Sequence, residues 1–421
     1  MSTPQILFYL IIAILVVNYL AEQYLEYLNA RHRSMELPEE LKGIYPEKEY
    51  QRSQKYDADN QKLSFISSTF NLLLILVFLA WGGFALVDQL ARQITTHELL
   101  MPVVFFAILL LAYDLVNTPF AIYDTFVIEE RYGFNKTSVK TFIGDKLKGY
   151  VLFGLLGGGL LILVVGFYHL TGHLFWIFAW GLVTLFTVLM TMFYTHWIVP
   201  LFNKLKPLEG DELKAKIVGL CQRVGFPLRE VYVMDGSKRS TKANAFFSGL
   251  GRQKRIVLFD TLLDKMGISE ILAVLAHEMG HYRKRHTRIN LLISIAHTGI
   301  TLYLLSLFIH TPALSKALGV ASPSFHIGLI AFSMLYSPIS MVLGIGMNHL
   351  SRKHELQADA FARSYGLSNN LVEALKKLSV NNLSNLTPHP VYVKVHYSHP
   401  PLLERIRHLQ GSTGQSKSQA I

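Results

Sequence analysis

Two histidines four residues apart, with a glutamate directly after the first, stand in His277-Glu278-Met279-Gly280-His281. On a helix, positions i and i+4 share a face, so both imidazoles can reach one metal ion. Glu278 is turned about 100° around the same helix, which sets its carboxylate beside the metal rather than on it. From there it can take a proton from a water that the metal acidifies and pass it to a leaving amine. A solvated surface helix could carry the same five residues. The apolar lead-in Ile271 to Ala276 calls for a buried helix instead.

A catalytic zinc keeps three protein ligands and one open position. The metzincin pattern would place its third histidine at position 287, where this chain has Thr287, so that class is excluded. From Tyr282 to His354 there is no acidic residue. The first carboxylates downstream are Glu355 and Asp359, in His354-Glu355-Leu356-Gln357-Ala358-Asp359-Ala360-Phe361-Ala362. Their spacing puts both on one helical face. Glu355 is expected to ligate zinc, and Asp359 to hydrogen-bond the far nitrogen of a ligand histidine and fix its tautomer. His354 is the rival ligand. On their own the two carboxylates could equally serve helix capping and solubility; beside the first motif they point to the metal. A structural zinc site would need four saturating ligands and would leave Glu278 without a purpose. The single cysteine, Cys221, excludes an internal disulfide and a cysteine-based zinc cluster, and is expected to be a small packed side chain.

The elements that carry these residues are mostly apolar. Hydrophobic residues make up 51% of the 421-residue chain and charged residues 16%, too apolar for a soluble core to absorb. Several uncharged runs reach the roughly 20 residues that a helix needs to cross a bilayer. They cover Ile6 to Leu20, Leu63 to Val87, Leu99 to Tyr123 (interrupted only by Asp114), Gly149 to Asn203, Ile289 to about His310, and His326 to Met347. The fourth run is long enough for two helices with a turn at His169 to His173, which makes seven spans, and Pro338 is a candidate kink in the last. The N-terminus has no charge before Glu22, so it lacks the basic start of a cleavable signal and is expected to be a retained first helix.

Lysine and arginine crowd alternate loops: Arg31 to Lys62, Arg131 to Lys148, and from Lys204 onward, against Arg92 alone and Lys316 alone in the loops between. The net charge of +11 is therefore distributed as a membrane topology signal and not as a nucleic-acid surface. It predicts an outside N-terminus, with the catalytic region and the C-terminus cytoplasmic. The expected organisation is a transmembrane region over 1–203, a catalytic segment over 204–288, spans six and seven over 289–350, a segment with the third ligand over 351–410, and a disordered tail over 411–421. In the catalytic segment Glu230 to Met234 and Arg255 to Phe259 read as strands, and Asp211 to Val224 and Ser269 to Tyr282 as helices. The fold class is mainly α: a polytopic membrane protein with a small cytoplasmic α/β metalloprotease domain.

The pairing of the His277 motif with Glu355-Leu356-Gln357-Ala358-Asp359-Ala360-Phe361-Ala362 resembles the type I CAAX prenyl endopeptidases. The likeness extends over nearly the whole chain. It includes Phe126-Val127-Ile128-Glu129-Glu130-Arg131-Tyr132-Gly133-Phe134-Asn135-Lys136, Asp235 to Ser240, and Lys254 to Leu263. It implies seven tilted helices around a water-filled chamber, one zinc ion at the cytoplasmic end, and release of the last three residues from a prenylated Cys-a-a-X substrate. It also implies that Asn244-Ala245-Phe246-Phe247-Ser248-Gly249 lies along the substrate as an edge strand, with Asn244 holding a carbonyl. A plain hairpin strand is the other reading of that segment. In Ser398-His399-Pro400-Pro401, His399 would donate to the developing oxyanion, and Arg405 would hold an acidic partner or the substrate carboxylate. A histidine before two prolines is otherwise a turn residue.

Asp114, costly at membrane depth, is either functional, facing chamber water, or capping a break near Pro119. A salt bridge to Arg131 or a lysine is the simple account of Glu129 and Glu130. The expected partners are a peptide or protein substrate, lipidated or not, and membrane lipid. The alternatives are a quality-control protease for unprenylated or misfolded proteins and an inactive metal-binding transporter or scaffold. The expected location is a bacterial inner membrane, or the endoplasmic reticulum in a eukaryote.

Overall fold

A computed structural model describes residues 1–33, 37, 39–248 and 254–411. Gly249 of the expected substrate segment and the tail beyond Gly411 lie outside these residues. The chain is mostly helical. Its first half comprises α1 (Thr3–Arg31), α2 (Glu47–Ala80), α3 (Gly83–Ile94), α4 (Leu100–Tyr123), α5 (Val139–Phe153), α6 (Gly159–Thr171), α7 (Phe175–Trp197) and α8 (Val199–Phe202). The catalytic segment holds β1 (Leu205–Pro207), α9 (Asp211–Val224), β2 (Leu228–Met234), β3 (Ala245–Ser248), β4 (Lys254–Phe259), α10 (Asp260–Lys265) and α11 (Ile268–Arg283). After it come α12 (His286–Phe308), α13 (Pro312–Ala317), α14 (Phe325–Ser364), α15 (Ser368–Asn381), α16 (Pro390–His396) and α17 (Leu402–Leu409).

Among the described residues six stretches are helical, long and apolar enough to cross a membrane. The fourth, Val139–Phe202, is 64 residues long. A short turn at Gly172–Leu174 breaks it, and α6 and α7 pack against each other across that turn. Seven expected spans and six apolar stretches thus differ in how this segment is counted. Most side chains in these stretches are not buried by protein, as expected of helices solvated by lipid on one side.

Two expected spans end differently from their charge-free limits. The run from Leu63 to Val87 stops at Ala80, because Gly82 takes a left-handed backbone (φ 68°) and restarts the chain as α3. The α3 residues Phe84, Val87 and Ala91 then pack with Ile11, Phe105, Leu314 and Ile327 in one buried cluster. The last span does not stop near Met347. It continues as one 40-residue helix through Pro338 to Ser364, so the expected boundary at 350 falls inside α14.

The sheet has the order β1-β2-β4-β3, with β2 and β4 parallel and the other pairs antiparallel. Parallel pairing needs a crossover, and β3 lies within it, folding back onto the outer side of β4 as the edge strand. One sheet face, with Val231, Ile256 and Leu258, packs on Ile217 and Leu220 of α9 and on Ile271, Leu275 and Met279 of α11. That core fixes the helix bearing the histidine pair.

Candidate metal centre

The α11 helix starts with a capping box in which Gly267 N–H donates to Glu270 Oε2 at 2.9 Å, and Glu270 also pairs with Lys377 of α15. Ile271, Leu275 and Met279 form its apolar stripe, spaced by four. On another face Gly280 meets α14, where an added Cβ would come within 2.9 Å of Ala358 Cα and 3.0 Å of Phe361 Cβ. The two helices can therefore cross this closely only with glycine at 280. The crossing brings His277, His281 and Glu355 together.

The three side chains converge on one point. His277 Nε2 lies 3.3 Å from His281 Nε2 and 3.3 Å from Glu355 Oε2, and His281 Nε2 lies 3.2 Å from Glu355 Oε1. A four-coordinate metal with bonds of about 2.0–2.2 Å spaces its ligand atoms roughly 3.3–3.6 Å apart, so the triangle has the size of one tetrahedral face. Glu355 Oε2 is shut off from water and lacks an aligned hydrogen-bond donor among the described residues, although His399 Nδ1 stands 3.0 Å away. A buried anionic oxygen without a donor fits a cation at the centre of that face. His354, the rival ligand, lies outside it. Its ring is buried and stacks on His286 with centroids 3.9 Å apart.

Behind the triangle, each histidine is held by its other nitrogen. His277 Nδ1 donates to Asp359 Oδ1 at 2.7 Å. Asp359 is fully buried and accepts from Arg405 Nε at 2.8 Å and Arg405 Nη2 at 2.6 Å, a fork on both oxygens. His281 Nδ1 lies 3.0 Å from His286 Nδ1, and His286 Nε2 is 2.8 Å from Gln357 Oε1. The Gln357 oxygen can only accept, so His286 carries its proton on Nε2 and offers a lone pair at Nδ1. His281 must then donate from Nδ1, which leaves the Nε2 lone pair facing the triangle. His286 and Gln357 were not picked out from sequence. Neither position signals by spacing that Gln357 of α14 meets His286 at the start of α12.

Electrostatics follow from this packing. Burial by itself would lower the His277 pKa, but the Asp359 and Glu355 carboxylates outweigh it and raise it to about 9 in the metal-free chain. Burial likewise opposes the Arg405 charge, and its pairing with Asp359 more than compensates, holding it above the ordinary arginine value. Glu278 is half-buried on the flank of α11 and makes no hydrogen bond or close ion pair among the described residues, so its carboxylate is available to a proton.

Ala245 and Phe246 open the edge strand β3, Asn244 directly precedes it, and none of the three makes a hydrogen bond or ion pair to the triangle among the described residues. Asn244 is exposed, and its Oδ1 accepts from Ala245 N–H at 2.8 Å. His399 is exposed at the rim, with Nδ1 toward Glu355. Arg405 faces Asp359, the acidic partner among its two expected roles, and its side chain is only 11% exposed. Asp114 accepts from Lys146 Nζ at 2.6 and 2.8 Å and ties α4 to α5. Glu129 pairs with Lys242 at 2.9 Å, whereas Arg131 pairs with Asp59 at 2.7 Å. Cys221 is buried in the catalytic core.

Comparison with known proteins agrees with this architecture. Residues 26–204 match the family described as the CAAX prenyl protease N-terminal region with five membrane helices, and residues 207–413 match peptidase family M48. The CAAX prenyl protease 1 homolog of Oryza sativa subsp. japonica is 33% identical, over 97% of this chain and 98% of the rice protein. CAAX prenyl protease 1 of Saccharomyces cerevisiae is 35% identical over 96% and 95% of the two chains, and the Homo sapiens homolog 31% identical over 89% and 88%. The crystal structure of S. mikatae Ste24p superposes with a TM-score of 0.91 at 34% identity, covering 96% of this chain and 98% of that one. The chain is a polytopic membrane metalloendopeptidase and belongs to the CAAX prenyl protease branch of peptidase family M48.

Proposed function

We propose that this protein is a zinc endopeptidase that cleaves prenylated CAAX-type polypeptides near their C-terminus, with His277, His281 and Glu355 as the metal ligands and Glu278 as the base. The converging His277–His281–Glu355 triangle carries the reading. Two imidazoles and one carboxylate are a donor set that suits zinc, and three ligands leave the open position that catalysis needs. When bound, zinc supplies a Lewis acid that acidifies water and polarises the scissile carbonyl.

The chain's own groups do the rest. Glu278 takes a proton from the attacking water as its oxygen adds to the carbonyl carbon, and gives that proton to the amide nitrogen as the C–N bond breaks. Asp359, fixed by Arg405, and His286, fixed by Gln357, hold the two imidazoles in the tautomers that keep both Nε2 lone pairs turned inward. His399, exposed at the rim with Nε2 turned away from Glu355, can donate to the oxyanion. The open edge of β3 can pair with an extended substrate segment, with Asn244 at its start. Arg405 is buried against Asp359 and serves as a positioning residue. The relatives named CAAX prenyl protease 1 support the substrate class, and the charge alternation of the loops supports a cytoplasmic catalytic region.

Metal analysis of the purified protein tests the ligand set. One zinc per chain is expected in the unmodified protein, with a large loss in His277→Ala and in Glu355→Ala. Full occupancy in either variant contradicts the assignment.

A further inference from the structure

A cavity of about 190 Å³ opens beside α11 where the chain turns into α12, and its charged walls are all positive. Lys254, Arg283, Arg285 and Arg288 line it, with Tyr282 and Thr287 between them and no carboxylate among the lining residues. Lys254 is only 8% exposed, and its ammonium lies 5.3 Å from the Tyr282 ring centroid. Burial, with the Arg288 charge close by, pulls the Lys254 pKa below the usual lysine value. Arg283, Arg285 and Arg288 have no carboxylate partner among the described residues, whereas Arg405 at the metal site is paired with Asp359. The three arginine charges collected around one cavity repel one another unless an anion joins them.

The surroundings indicate which anion. Arg285 caps α12, and Arg288 lies in its first turn. Further along the same face come Ile289, Leu292, Ile300, Tyr303 and Leu307, all exposed. This helix is one of the candidate membrane spans. The cationic cavity therefore sits at the foot of an exposed apolar track, at the start of a candidate membrane span. A phosphate in the cavity would leave its acyl chains lying along that track, an arrangement that basic pockets beside membrane helices offer to anionic headgroups. A prenylated substrate also carries an anion and an apolar chain, and a KM effect confined to peptides with a free carboxylate separates it from a lipid.

We propose that Lys254, Arg283, Arg285 and Arg288 form a binding site for the phosphate headgroup of an anionic phospholipid, next to the metal centre. His281 lines the same cavity, so a bound headgroup would lie beside one of the imidazoles of the triangle.

The test uses the full chain in nanodiscs of phosphatidylglycerol and phosphatidylcholine, with retained lipid counted by native mass spectrometry after extraction. Arg285→Gln/Arg288→Gln is compared with the unmodified chain and with the charge-preserving Arg285→Lys/Arg288→Lys, and thermal unfolding confirms that each is folded. The unmodified chain should retain phosphatidylglycerol in preference to phosphatidylcholine. The double glutamine variant should lose that preference by roughly 30-fold, two cations at about fivefold each, and the lysine variant should restore most of it. Equal retention of both lipids by the unmodified chain, or no change in the glutamine variant, overturns the proposal. Two further arms identify other anions. Binding of inorganic phosphate that depends on these arginines, without lipid preference, would assign the cavity to a free ion. A rise in KM confined to peptides with a free C-terminal carboxylate, again without lipid preference, would assign it to substrate.

Discussion

His281 presents Nε2 to the centre because His286 occupies its other nitrogen, and His286 can do so because Gln357 takes the proton on its far side. His277 is fixed in the parallel way by Asp359 and Arg405. Removing such a partner typically lowers metal affinity by roughly 10–100-fold. His286→Leu is expected to show that loss, whereas His286→Asn, whose side-chain oxygen can take the place of Nδ1 as acceptor, should recover most of it. Chelator competition measures both. Equal affinities for the leucine and asparagine variants would mean that His286 acts by packing alone. From sequence the two histidines could be read because their i, i+4 spacing is local, and Glu355 because it is the first carboxylate after a long acid-free stretch. His286 could not, since its role depends on Gln357 arriving from a helix 71 residues away.

Among the elements, the crossing of α11 and α14 matters most for the site. Gly280 sits between the two histidine-bearing turns and touches the Ala358 backbone, between Glu355 and Asp359 on the partner helix. A methyl group there has no room without moving one helix. Gly280→Ala is therefore expected to destabilise the protein by about 1–3 kcal/mol, as overpacking does, and to weaken metal binding by spreading the triangle. Thermal unfolding and metal content report the two effects, and unchanged values in both would show that the helices do not need this contact. The strands β2 and β4 and the helices α9 and α11 were legible from alternation and apolar spacing. The uninterrupted α14 was not, because hydropathy falls after Met347 while the helical hydrogen bonding continues to Ser364. That continuity makes the helix bearing Glu355 and Asp359 an extension of a membrane span, and so couples the site to the bundle. The break at Gly82 was hidden for the opposite reason: a charge-free run conceals a turn made by backbone geometry alone.

At the scale of the whole molecule, apolar helices with little protein burial and loops of alternating charge define a membrane protein whose catalytic segment lies on one side. Composition alone was enough to reveal that class, whereas the cluster that joins α3 and α13 to the first helix depends on contacts between segments far apart in the chain. The positive loops predict the orientation. In a Cys221→Ser background, cysteines at Lys214 and Leu170 should label from opposite faces of the membrane, Lys214 from the cytoplasm. Labelling from one face would contradict the topology. The central claim is that these elements assemble a zinc peptidase acting on prenylated C-termini with Glu278 as its base. It is tested most directly by incubating a farnesylated CAAX peptide with the purified chain and with Glu278→Gln, both with measured metal content. Release of the C-terminal tripeptide by the unmodified chain, slowed by roughly 10²–10⁴-fold in a fully metal-loaded Glu278→Gln, is the predicted result. Equal rates from the two proteins, or no cleavage by the metal-loaded unmodified chain, would contradict it.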